Sequence, residues 1–181
     1  MKIINELLPE IKIANTVSTA VLNQKVDIAS FNEYEHLHSD LELYRCGYVK
    51  DNKMVGRVTI FGNGKMISVG TKSPKQSFKE LRKALKILHK HGLIKSRQLK
   101  PQTRNIVANT DFKKSIDIEQ LARSLPKSMY EPEIFPGLIH RMHHSVVSLI
   151  FASGKAVIVG SKSIEDINSA YFDLNQFFNK M

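Results

Sequence analysis

The chain has 181 residues, 42% of them hydrophobic, and its 27 Lys and Arg against 17 Asp and Glu leave a formal net charge of +10. That size and content suffice to bury a core, and the positive excess favours polyanionic partners, either nucleic acid or an acidic membrane surface, with a merely solvated basic surface as the plainer alternative. A single cysteine, Cys46, excludes a disulfide framework, and the start MKIINELLPE reads as neither signal peptide nor membrane span, so a soluble intracellular protein is expected.

In chain order, Lys12 to Val21 reads as a strand and Asp27 to His38 as a short helix opened by its acidic residue. Tyr44 to Val49, Met54 to Phe61 and Met66 to Val69 are apolar, β-branched runs, and Gly62-Asn63-Gly64 makes a tight turn that sets adjacent strands antiparallel. A longer helix follows from Pro74 to His91, with Ser73 as N-cap and Phe78, Leu81, Leu85 and Leu88 keeping the 3.6-residue period. The polar stretch KSRQLKPQTR, Lys95 to Arg104, reads as a linker. The same order then returns: strand Asn105 to Phe112, helix Asp117 to Leu125, strands Ile134 to Met142, Val146 to Phe151 and Ala156 to Val159 about the turn Ser153-Gly154, and helix Ile164 to Lys180 behind Ser163. The aromatic stripe Tyr171, Phe172, Phe177 and Phe178 of that helix is expected in the core.

The return is also literal. NTVSTAVLNQKVD, Asn15 to Asp27, reappears as NIVANTDFKKSID, Asn105 to Asp117, and TIFGNGKMISVGTKS, Thr59 to Ser73, as LIFASGKAVIVGSKS, Leu149 to Ser163. Both pairs share one offset, 105 − 15 = 90 and 149 − 59 = 90, which exceeds the roughly 20–50 residues of solenoid repeats and implies a duplicated unit. The expected organisation is a first repeat over 1–94, a linker over 95–104 and a second repeat over 105–181.

Alternation along the strands exposes a mismatch. Both faces of Val147 to Phe151 and Ala156 to Val159 are largely apolar, yet the helices of each half can cover only one side of a sheet. The other side carries Val17, Thr59, Phe61, Ile67 and Val69, repeated as Val107, Leu149, Phe151, Val157 and Val159. An apolar face of that extent is expected to be an interaction surface. A sandwich or dimer burying both faces is the alternative, and Asn15 and Asn105, at the same alternation as Val17 and Val107, speak against it because they would be buried polar groups.

These residues resemble the TATA-box-binding protein family. The strongest signatures lie in the second half: Asn105-Ile106-Val107, then Tyr130-Glu131-Pro132-Glu133-Ile134-Phe135-Pro136-Gly137-Leu138-Ile139 with Arg141-Met142, then Ile150-Phe151-Ala152-Ser153-Gly154-Lys155. The resemblance covers about Ile11 to Met181. It implies an α+β fold: a pseudo-two-fold saddle of two repeated α/β half-domains that share one curved ten-stranded antiparallel sheet, with helices on the convex face. It also implies a general transcription initiation factor, active in the archaeal nucleoid or eukaryotic nucleus, that binds A·T-rich double-stranded promoter DNA in the minor groove and kinks it.

By that resemblance the wedge pairs are Phe135 with Phe151 and Tyr44 with Phe61, flanked by Pro136 and Arg45. Asn15 and Asn105 would donate to bases, while Val17, Thr59, Ile67, Val69, Val107, Leu149, Val157 and Val159 would line the groove. Phosphates would meet Lys50, Lys65, Lys72, Arg141, Ser153, Lys155 and Lys162. Transcription factor B would dock at Glu131, Glu133 and Ile134 and bring in the RNA polymerase pre-initiation complex. The first half departs from the family at Tyr44-Arg45-Cys46-Gly47, and Val69 and Val159 stand where the family usually has Thr, which relaxes the expected base preference.

An enzyme, a cofactor, a metal, a small-molecule substrate or a membrane partner is not expected. Gly62-Asn63-Gly64-Lys65 lacks the spacing and the following Ser or Thr of a phosphate-binding loop. The histidines His36 and His38, His89 and His91, and His140, His143 and His144 lack Cys or carboxylate partners at ligand spacing. Two other uses of the same fold are conceivable from sequence, an RNA/DNA-hybrid binder and a protein-binding regulator. The absence of an appended catalytic domain speaks against the first, and the paired asparagines with three wedge phenylalanines speak against the second.

Overall fold

A computed structural model describes residues 7–8, 10–95 and 98–179. The first half runs β1 (Ile11–Val21), a 3-10 turn (Ala29–Glu33), β2 (Leu37–Asp40), β3 (Cys46–Val49), β4 (Arg57–Phe61), β5 (Lys65–Thr71) and α1 (Pro74–Lys90). The second runs β6 (Gln102–Asp111), α2 (Ile118–Ser124), β7 (Ser128–Met129), β8 (Leu138–Arg141), a 3-10 turn (His143–Ser145), β9 (Val147–Ile150), β10 (Lys155–Ser161) and α3 (Ile164–Phe178). The ten strands form one sheet in the order β2-β3-β4-β5-β1-β6-β10-β9-β8-β7. Within each half, neighbouring strands pair antiparallel.

Both long helices start where the sequence places them. Ser73 Oγ accepts from the Gln76 N–H at 3.2 Å and Ser163 Oγ from the Asp166 N–H at 3.1 Å, so each hydroxyl satisfies one of the N–H groups that a helix start leaves unpaired. In the first half α1 lays Leu81, Ala84, Leu85 and Leu88 over Val58, Ile60 and Met66 of the sheet, and all of these are buried. In the second, Leu174 and Phe178 of α3 join Leu121, Leu138 and Ile150. Phe112 stacks on Tyr171 and meets Phe178 edge-on, with centroids at 5.3 and 4.7 Å. Phe172 departs from the expected aromatic core, at 41% exposed.

The helix expected over Asp27 to His38 does not form. Only Ala29–Glu33 turns, as a 3-10 segment with no side-chain cap, and Leu37–Asp40 extends as β2 against β3. The apolar residues there explain it: Phe31 is buried under the sheet while Leu37 and Ser39 alternate inward as a strand requires. Other strand expectations shorten as well, because Tyr44 and Arg45, Met54 to Gly56 and Ile134 to Gly137 belong to loops, and β6 begins inside the expected linker, at Gln102. Residue 180, the expected end of the last helix, lies outside the described residues.

The chain packs as two compact units, one of Asn15–Arg104 and one that joins the segment ending at Ala14 to the residues from Asn105 onward. The first residues of β1 therefore pack with the second repeat. Ile11, 3% exposed, sits in an apolar cluster with Ile106, Ala108, Val146, Ile158, Ile167 and Ala170, and the Leu8 N–H donates to Asn168 Oδ1 at 3.4 Å. The corresponding positions of the first repeat are polar: Thr16, Ser18, Ser68, Ser77 and Glu80 are buried there, with Lys83 Nζ donating to Glu80 Oε1 at 3.1 Å.

Candidate nucleic-acid interface

In each half the helices cover one face of the strands and leave the other open. Along β1 the burial alternates, with Thr16, Ser18 and Ala20 buried and Asn15, Val17 and Thr19 partly exposed. β4, β5, β9 and β10 keep the same rule, so Thr59, Phe61, Ile67, Val69, Leu149, Phe151, Val157 and Val159 all stand half-exposed on the open face, and Val107 of β6 does likewise. Every apolar residue assigned to this face from sequence is on it. Tyr48 and Ile139, opposite Thr59 and Leu149, belong to it as well and were missed, because each sits in a short strand whose register only the pairing reveals. Arg57 places its guanidinium 4.4 Å from the Tyr48 ring centre, and the neighbouring Cys46 thiol is the first cause that pushes the Tyr48 hydroxyl above its ordinary value.

The two asparagines are held alike. Asn15 Oδ1 accepts from the Gly70 N–H at 2.8 Å, and Asn105 Oδ1 accepts from the Gly160 N–H at 2.9 Å. Both glycines have φ of 85°, a left-handed conformation that L side chains rarely adopt, and both lie where the strand register shifts. The bulge turns a backbone N–H toward the asparagine and fixes its amide orientation. With each oxygen engaged, the side chain presents its NH2 donors.

The residues expected as wedges differ between halves. Phe135 and Phe151 form an edge-to-face pair with centroids 5.9 Å apart. Tyr44 is 63% exposed, in the loop before β3. The preceding loops are closed in two ways. In the second half the Glu131 carbonyl accepts from the N–H groups of Ile134 and Phe135 at 3.0 and 2.9 Å. In the first, Asp40 Oδ1 does the same for Leu43 and Tyr44 at 3.0 and 3.2 Å. Asp40 thus spends its carboxylate on the loop, whereas Glu131 and Glu133 stay exposed beside Ile134, which is 81% exposed.

Of the residues assigned to phosphates, Lys65, Lys72, Arg141, Ser153, Lys155 and Lys162 are exposed at strand ends and turns. Lys50 is also exposed, but its ammonium donates to the carbonyls of Met54, Val55 and Gly56 at 2.6, 2.9 and 2.9 Å. All three of its protons close that loop. Lys12 and Lys113, not singled out from sequence, join Lys155 and Phe151 around a cavity of about 640 Å³ at the open face of the second half.

The histidines gather no metal site: among the described residues no group of three His, Cys, Asp or Glu side chains could hold an ion. Burial is the first cause holding His140 below its ordinary value, opposed by its hydrogen bond to Pro126. No helix among the described residues is long and apolar enough to cross a membrane.

Residues 10–91 and again 100–181 match the family described as Transcription factor TFIID (or TATA-binding protein, TBP). The chain belongs to this family. It is 39% identical over 165 residues to the TATA-box-binding protein of Cenarchaeum symbiosum, covering 90% of this chain and 91% of the relative. With the TATA-box-binding protein of Pyrodictium occultum it shares 37% over 180 residues, 96% of this chain and 86% of that one. Among solved structures, Methanococcus jannaschii TBP superposes with a TM-score of 0.84 at 29% identity, over 96% of this chain and 100% of that one. The TATA-binding protein family is one of transcription factors, not enzymes, and the ten-stranded antiparallel sheet is its fold.

Proposed function

We propose that this protein is a general transcription initiation factor that binds A·T-rich promoter DNA through the minor groove and kinks it with inserted aromatic side chains. The observation that carries the reading is the NH2 donors that Asn15 and Asn105 present, their amides oriented by Gly70 and Gly160, within a largely apolar open face. At A·T pairs the minor groove offers only acceptors, and at G·C it adds the guanine amino group. Donors set in an apolar surface complement the first, and the amino group of the second meets methyls or a competing donor.

Phe135, Phe151 and Phe61 are the wedges that unstack base steps, with Tyr44 as the fourth ring. Lys65, Lys72, Arg141, Ser153, Lys155 and Lys162 contact phosphates, while Lys50 acts chiefly by holding the 54–56 loop. Transcription factor B docks on Glu131, Glu133 and Ile134 and leads RNA polymerase to the promoter. The duplicated units are the repeats over 1–94 and 105–181 joined by 95–104.

The test of the wedge role is bending, read by fluorescence transfer across an A·T-rich duplex. Phe151→Ala is expected to lose most of the bend and about 1–3 kcal/mol of binding, the scale of a lost base–aromatic stack. An unchanged bend in that variant removes Phe151 from the mechanism.

A further inference from the structure

Strand pairing puts the two wedge stations in correspondence. Gly47 opposes Ile60 in the first half and Leu138 opposes Ile150 in the second. Since 150 − 60 = 90 but 138 − 47 = 91, β3 and β8 correspond with one extra residue of offset. Tyr44 therefore matches Phe135, Arg45 matches Pro136, and Cys46 matches Gly137.

The matched residues do opposite things. A Cβ on Gly137 would stand 2.8 Å from Phe135 Cε1 and 3.0 Å from Phe151 Cε1, so the ring pair exists because that position is bare. In the first half Cys46 occupies the place, opposite Phe61 and only 2% exposed. The backbone before it also turns the other way. Arg45 has φ of 47°, a conformation closed to proline, whose ring holds φ near −65°. Tyr44 consequently projects outward at 63% exposure.

We infer that the dipeptides Arg45-Cys46 and Pro136-Gly137 are specificity determinants that make the wedge stations unequal, a paired-ring wedge in the second half and Phe61 with a splayed Tyr44 in the first. The inference rests on the minor-groove reading above. Unequal wedges give the chain its own directional bias on a duplex whose two ends differ in stiffness, because the stronger wedge seeks the step that unstacks at lower cost. That bias exists before any partner binds.

The experiment compares ring truncations by titrating an A·T-rich and a G·C-rich duplex. Phe135→Ala is expected to weaken binding to the A·T-rich duplex about 5- to 140-fold, the range of a lost base–aromatic stack. Tyr44→Ala in the natural background is expected to cost less than about threefold. Installing the second-half dipeptide, Arg45→Pro with Cys46→Gly, should raise the cost of Tyr44→Ala to at least about fivefold. The reciprocal Gly137→Cys, which leaves β3 untouched, should lower the cost of Phe135→Ala toward that of Tyr44→Ala. This reciprocal variant decides the matter if the first one, with two adjacent glycines in β3, does not fold. Equal costs of Tyr44→Ala and Phe135→Ala in the natural background, with the A·T preference intact, overturn the inference alone. Loss of the A·T preference itself overturns the minor-groove reading and takes the inference with it.

Discussion

A carboxamide can present an acceptor or a donor, and at Asn15 and Asn105 the Gly70 and Gly160 N–H groups decide which. Asn105→Asp tests this choice, because the aspartate keeps an oxygen for Gly160 while replacing two donors with a second acceptor. Folding should be nearly unchanged. DNA affinity should fall by at least about 1–3 kcal/mol, as a buried acceptor faces a base acceptor near phosphate charge, and Asn105→Ser should cost less. A titration in which Asn105→Asp binds as the natural protein does would show that the donors are not used. The asparagines were legible in the sequence because duplication repeats them at one alternation with valines. Their tether was not, since it depends on strand bulges that bring Gly70 and Gly160 beside them from 55 residues away. The engagement of Lys50 was hidden for a related reason: charge is visible in a sequence, but the three carbonyls that hold this ammonium are gathered by a loop.

At the scale of elements, periodicity located the long helices and the antiparallel hairpins, since Ser73 and Ser163 cap helices with one apolar stripe each. The acidic start misled over Asp27 to His38, where only Ala29–Glu33 turns, around a buried Phe31, before Leu37 and Ser39 alternate inward as a strand. Packing there is compensatory. A Cβ on Gly47 would lie 2.3 Å from Phe31 Cε2, so the large ring fills the place that Leu138 fills in the second half. The paired loops before β3 and β8 differ in how they are closed. Asp40 is consumed by its own loop, whereas Glu131 uses its carbonyl and leaves its carboxylate outward. Only the second loop therefore offers two free carboxylates beside an exposed isoleucine, the arrangement that the proposed docking of a basic partner calls for. Glu131→Arg with Glu133→Arg should abolish the ternary complex with transcription factor B in a gel-shift assay while binary DNA affinity stays within about threefold or improves slightly. Undiminished recruitment by that double variant would remove the loop from the docking surface.

Over the whole molecule the charge is unevenly placed. α1 carries Lys75, Lys79, Arg82, Lys83, Lys86 and Lys90, while α3 carries Glu165, Asp166 and Asp173 with no lysine or arginine. Much of the net charge of +10 therefore lies on helix α1, away from the open strand face, and should not enter the salt dependence of DNA binding. With Lys65, Lys72, Arg141, Lys155 and Lys162 as the cationic contacts, the slope of log K against log salt should be roughly −4.5, at about −0.9 per contact, and shallower by about one in Lys155→Ala. A slope near −9 would mean that the helix lysines bind DNA too. Fold class and the strand face left open by the helices were both readable from the duplication and the doubly apolar strands. The inequality of the halves was readable in part, from the departure at Tyr44-Arg45-Cys46-Gly47, but its physical basis was not, because the backbone of Arg45 at φ of 47° and the closeness of Gly137 to both rings emerge only on folding. The most direct test of minor-groove recognition is competition among three duplexes: an A·T-rich site, the same site with G·C pairs, and the same site with inosine·C pairs. Inosine·C matches G·C in the major groove but lacks the guanine amino group in the minor groove. The A·T-rich and inosine duplexes should bind within a few-fold of one another and the G·C duplex at least about tenfold more weakly; an inosine duplex that binds as poorly as the G·C duplex would contradict recognition through the minor groove.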